Sequence, residues 1–131
     1  MLKMLCCLAI SAALCLTGWA ACAQQDVITR TILQRAQFPG SQYETVMASV
    51  TILANSTVAR HTHPGVEMAY VLDGEGELTV EGQPPRLLKP GDSFQIPAQT
   101  PHGLKSGGKP VRLISTYVVD KDKPLATPAP K

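Results

Sequence analysis

Apolar and polar positions alternate along most of this chain beyond its N-terminal stretch. Val46, Ala48, Val50 and Ile52 interleave with Met47, Ser49 and Thr51, a period of two that sends one set of side chains to a buried face. Val27 to Gln37 and Tyr43 to Leu53 are rich in β-branched residues and predict two strands. Further strands are expected over Val66 to Leu72, Glu75 to Glu81, Arg86 to Leu88, Ser93 to Ile96 and Val111 to Val119. Asp73-Gly74 reads as a hairpin turn, and Lys89-Pro90-Gly91-Asp92 and Ser106-Gly107-Gly108-Lys109-Pro110 as further turns. No segment beyond the N-terminal stretch has a helical period. Short strands punctuated by glycine and proline predict an all-β sandwich or barrel in one domain.

The ends differ from this middle. Lys3 is the only charge before Asp26, Leu5 to Leu16 is an apolar run too short to cross a bilayer comfortably, and Ala21-Cys22-Ala23 reads as a cleavage site. Residues 1–23 are therefore expected to be a secretory signal peptide, leaving a mature chain that starts at Gln24. An anchor that is never cut is the alternative. Lipidation of Cys22 ranks third, because Trp19 stands where a lipobox wants a branched aliphatic residue. All four cysteines (Cys6, Cys7, Cys15 and Cys22) lie in this leader, so the mature domain, residues 24–119, has neither disulfides nor thiolate ligands. Export without disulfides points to a bacterial periplasm. Residues 120–131, Pro- and Ala-rich, read as a flexible tail. A net charge of +2 without a basic stripe excludes nucleic acid as a partner, and no span remains in the mature form.

The chemistry concentrates in one place. The chain has three histidines. Taken singly, each would be an ordinary hydrogen-bonded group, and Glu67 a solvated strand residue. Jointly they read His61-Thr-His63-Pro-Gly-Val-Glu67, then Gly74, and later Gly91-Asp92-Ser-Phe-Gln-Ile-Pro97-Ala-Gln-Thr-Pro101-His102. Residues two apart on a strand share a face, so His61 and His63 can grip one ion. Pro64-Gly65 turns the chain so that Glu67 returns on the next strand, and a proline-shaped loop brings His102 in from afar. Neutral imidazoles with one carboxylate suit a divalent transition metal.

These two segments resemble the two conserved motifs of the cupins, and the resemblance extends over most of the mature chain. It implies a small single-domain double-stranded β-helix, a jelly-roll barrel, with one metal held by His61, His63, Glu67 and His102. The departures are Asn55, Gln99 and Ser106, which stand where the motifs usually have glycine, glycine and asparagine. They bear on loop shape and not on ligands; asparagine tolerates a left-handed turn. A homodimer, paired through an outer sheet, is a further expectation from the family.

Other polar residues are weaker candidates. Arg60 should face away from His61; Glu44, Arg86 and Arg112 read as solvated or paired on the surface; Tyr70 reads as core packing. Phe94 and Ile96 are expected to wall a pocket, with Gln95 and Tyr117 supplying polar contacts. A nucleophile elbow and a phosphate-binding glycine loop are both missing from the sequence. The leading functional expectation is a metal-dependent enzyme of dioxygenase, isomerase or lyase type acting on a small molecule, with Glu67 also able to relay a proton. The alternative is a non-catalytic barrel that binds a sugar or carboxylate. Metal buffering comes last. Histidine and carboxylate suit Fe, Mn, Ni, Zn or Cu alike.

Overall fold

The computed structural model describes residues 26–130. The expected leader, its cleavage after Ala23 and Cys22 lie outside the described residues. Within them the chain forms ten strands: β1 (Ile28–Gln37), β2 (Tyr43–Ile52), β3 (Thr57–Thr62), β4 (Gly65–Asp73), β5 (Gly76–Val80), β6 (Arg86–Leu88), β7 (Ser93–Ile96), β8 (His102–Ser106), β9 (Val111–Asp120) and β10 (Thr127–Pro128). They assemble into two five-stranded sheets of order β1-β2-β9-β4-β7 and β10-β3-β8-β5-β6, with antiparallel pairing throughout. No helix among the described residues is long and apolar enough to cross a membrane.

The alternation read from the sequence is what packs the two sheets together. Val46, Ala48, Val50 and Ile52 of β2 are buried, as are Val111, Leu113, Tyr117 and Val119 of β9. They meet Val58, Leu78, Val80, Leu88 and Leu104 from the other sheet in one core. Two jelly-roll layers with inward apolar faces are the outcome that period-two patterning drives.

Four expectations need correction. Asp73-Gly74 does not close a hairpin: β4 pairs with β7 and β9, while β5 pairs with β6 and β8 in the opposite sheet. The step is a corner between layers, with Gly74 at φ +78 and so close to β9 that a Cβ there would lie 2.1 Å from the Pro110 carbonyl oxygen. Tyr70 is not core but 49% exposed, because its parity opposite Ile114 and Ser93 places it on the outer face of the first sheet. Glu44 is paired, but not on the surface: it is buried and ion-paired with Arg35, the partner that an inward charge requires. The tail differs as well. Asp120 completes β9, and Thr127–Pro128 pairs with Thr62 and His61 at the edge of β3.

The departures from the motif find local solutions. Asn55 and Gln99 both adopt left-handed backbone, at φ 52 and φ 59. The Gln99 amide donates to the His63 carbonyl (3.0 Å). Ser106 is buried, donating its hydroxyl to Leu53 O (2.5 Å) and accepting from the Ser56 amide (2.9 Å).

Candidate metal centre

Adjacent strands deliver one cluster. His61 on β3 and His102 on β8 are direct partners across the ladder. A bulge makes this possible: Ala59 and Arg60 lie between Val58 and His61, where Gly103 alone separates their partners Leu104 and His102. The extra residue lets Val58 and His61 both line the cavity, while Arg60 turns outward to Glu81 (3.5 Å). Opposite the bulge stands Gly103, where a Cβ would come within 2.8 Å of the Val58 carbonyl oxygen. His63 follows the end of β3, and Pro64-Gly65 leads into β4, which returns Glu67. Gly65 has no space for a side chain: a Cβ would meet the Val118 carbonyl oxygen at 1.9 Å.

Ligand nitrogens of His61, His63 and His102 lie within 4.8 Å of one another. Each ring commits Nδ1 to a backbone carbonyl: His61 to Ala59 (2.9 Å), His63 to Leu125 (2.6 Å), His102 to Thr100 (2.9 Å). A carbonyl only accepts, so each Nδ1 carries hydrogen, and in a neutral ring Nε2 is left as a lone pair, which in His61 faces the Arg30 guanidinium (3.3 Å). His63 and His102 Nε2 sit 3.1 and 3.4 Å from Glu67 Oε2. Both nitrogens are buried and lack a hydrogen-bond partner.

With neutral rings these are lone pairs facing a carboxylate, an arrangement that a cation between them would stabilise. The nitrogen-plus-carboxylate set therefore fits a divalent transition ion.

Burial, against the opposing Ala59 carbonyl, depresses the His61 ring to about 4, with His102, His63 and Arg30 adding to the effect. His61 is thus neutral near pH 7. Burial opposes ionisation of Glu67, but hydrogen bonds from His102 and His63, with hydrogen on Nε2 in place of a cation, outweigh it and hold the carboxyl well below the usual carboxylate range. Tyr117 is pushed up to about 12, by burial first and the Glu67 charge second, against the pull of Arg30.

A small cavity opens beside the cluster. His61, Glu67 and His102 form its polar side; Val50, Ile52, Leu78, Phe94, Leu113 and others form an apolar wall, with Tyr117 and Arg30 also facing it. Of the pocket residues expected from sequence, Phe94 and Tyr117 line it. Ile96 is buried in the core, and Gln95, opposite Met68, is exposed on the outer face. Arg30 and Leu125 were not anticipated. Arg30 does leave a trace: it shares parity with Ile28 and Ile32 on β1, a charge between two apolar positions. Leu125 acts through its carbonyl, which no side-chain pattern reports.

The cupin domain model matches residues 48–117, and the chain belongs to the cupin family. It is 42% identical over 50 residues to the dimethylsulfoniopropionate lyase DddQ of Ruegeria pomeroyi, a match spanning 38% of this chain and 25% of the lyase. The crystal structure of that lyase superposes with a TM-score of 0.67 and 26% identity, covering 81% of this chain and 55% of the other. The chain thus spans about half the length of the relative it resembles. KdgF from Halomonas sp. gives a TM-score of 0.59 at 25% identity, over 73% of this chain and 82% of that one. The polyketide cyclase RemF from Streptomyces resistomycificus shares the fold at 22% identity, TM-score 0.62, over 81% and 73% of the respective chains.

Proposed function

We propose that this cupin is a metal-dependent enzyme acting on a small molecule, with chemistry of the lyase type. The observation that carries the reading is the convergence of His61, His63 and His102 nitrogens with the Glu67 carboxylate while each ring's Nδ1 is spent on a carbonyl. The similarity to a dimethylsulfoniopropionate lyase supports the reaction class. His61, His63, Glu67 and His102 would hold the ion; when bound, it would supply Lewis-acid activation of a substrate oxygen. The chain's own groups do the rest. The backbone carbonyls of Ala59, Leu125 and Thr100 orient the rings. The apolar wall excludes water. Glu67, held ionised, is the group assigned to accept and relay a proton.

The test is elemental analysis of the purified protein, followed by an assay of dimethylsulfoniopropionate and related small carboxylates. About one metal per chain with turnover of one of these compounds supports the reading. Metal-free protein as isolated, which also refuses added metal, sinks it. A second reading, a barrel that binds without turnover, draws on the sparse set of proton-carrying groups: beyond the cluster, Tyr117 is the cavity's one other such side chain among the described residues, and its hydroxyl is hard to ionise. Retained metal and ligand binding without consumption would decide for it. In both readings the protein is exported after loss of its leader. It pairs with a second copy through the outer face bearing Met47, Met68 and Tyr70, each more than a third exposed.

A further inference from the structure

From Arg30 we infer that the substrate carries a carboxylate and that this guanidinium is its anchor. The inference rests on the proposal that the cavity is a small-molecule site and narrows it to anionic substrates.

Arg30 sits on β1 opposite Val50, with its side chain on the inward face. It is shared between two spaces. It lines the inner cavity beside Tyr117 and Phe94. It also lines the outer groove formed by Asp26, Val27, Arg60 and the strap residues Ala126 to Pro128. Arg30 and His61 therefore stand together at the entrance. The Arg30 Nη2 lies 3.3 Å from His61 Nε2. Its Nε is buried and has no hydrogen-bond partner. No carboxylate among the described residues pairs with it, whereas the other inward cation of β1, Arg35, is paired with Glu44.

A buried guanidinium nitrogen without an acceptor is costly, and it marks a place where an acceptor is meant to arrive. The planar fork of arginine matches the two oxygens of a carboxylate better than any neutral group. Electrostatics point the same way. Glu67 is the cavity's one carboxylate. A divalent ion together with Arg30 would leave the cavity net positive, so an incoming anion is favoured. The outer groove, about 470 Å³ and lined by Val27, Ile28, Val58 and Ala126 beside Arg30, then receives the organic part of the molecule.

The experiment compares propionate with propionamide, its uncharged counterpart, on the full chain, both metal-loaded and after chelator treatment. Wild type should bind propionate about ten- to a hundredfold more tightly than the amide, the range expected of a charge-assisted hydrogen bond. Arg30→Gln should reduce that preference in the metal-loaded protein and erase it in the chelator-treated protein, while metal content stays at the wild-type level. Arg30→Lys, which keeps the charge but loses the fork, should retain part of it. A direct readout needs no variant: the Arg30 Nε–H proton resonance should move downfield with propionate and stay in place with propionamide. An unmoved resonance, or an Arg30→Gln protein with normal metal and an undiminished preference, would overturn the assignment. The preference should persist in weaker form without metal. A protein that proves metal-free yet discriminates through Arg30 therefore refutes the metal reading alone.

Discussion

At the scale of single residues, the centre depends on which nitrogen of each imidazole carries its hydrogen. Truncating His63 removes a proposed ligand that is 1% exposed and leaves Glu67 facing a void. His63→Ala should lower metal content to a small fraction of wild type, and an unchanged metal-to-protein ratio by elemental analysis would refute the ligand assignment. Thr62→Ala, which touches the same strand from its other face, should leave that ratio alone. The neighbouring glycine is bound by space and not by chemistry. Gly65→Ala would drive a Cβ into the Val118 carbonyl, so β4 and β9 must part. A loss of about 1–3 kcal/mol is the least to expect, measurable as a shift in the urea midpoint.

At the scale of elements, the strap after β9 matters beyond its size. It adds β10 to the open edge of β3 and supplies the Leu125 carbonyl to His63. A chain stopped after Asp120 should still fold around the core of β2, β4 and β9. It should bind metal about 10- to 100-fold more weakly, the usual cost of losing a partner that orients a ligating histidine. Competition with a chromogenic chelator measures this; equal affinity would mean that the strap is only cover. This element also marks the limit of the sequence reading. The strands β2, β4 and β9 were plain because each buries one face, and alternation records burial. The clustering of His61, His63, Glu67 and His102 was readable because both motifs are carried by side chains. The strap was not, since Thr127 and Pro128 pair only because β3 offers an edge. The β3 bulge and the β4–β5 corner were equally hidden, because a two-residue period cannot report where a chain gains a residue or changes sheet. Tyr70 shows the same limit: its strand was legible, but alternation does not say whether the face it occupies is covered.

At the scale of the whole molecule, the buried cluster ties stability to acidity. The folded state holds His61 near 4, below the 6.5 of the free side chain. As pH falls through that window the unfolded chain takes up a proton that the folded chain refuses, so stability is lost. Glu67 acts with the same sign further down. Its folded carboxyl lies below the 4.5 of the free group, so the stability it confers is present above that value and drains away beneath it. The metal-free protein should therefore melt at progressively lower temperature between pH 6.5 and 4, and go on falling below as Glu67 takes over from His61. A melting temperature flat across that range would contradict the buried, neutral state assigned to His61.

The contact between His63 and Leu125 joins residues 62 positions apart, and this separation has a temporal side. A ribosome makes the three histidines and Glu67 well before it makes the strap. Until residue 125 emerges, the His63 ring lacks the acceptor that sets its tautomer, and the edge of β3 is bare. The cluster is therefore complete only after residues 125–128 have docked, so His63 takes its final orientation last.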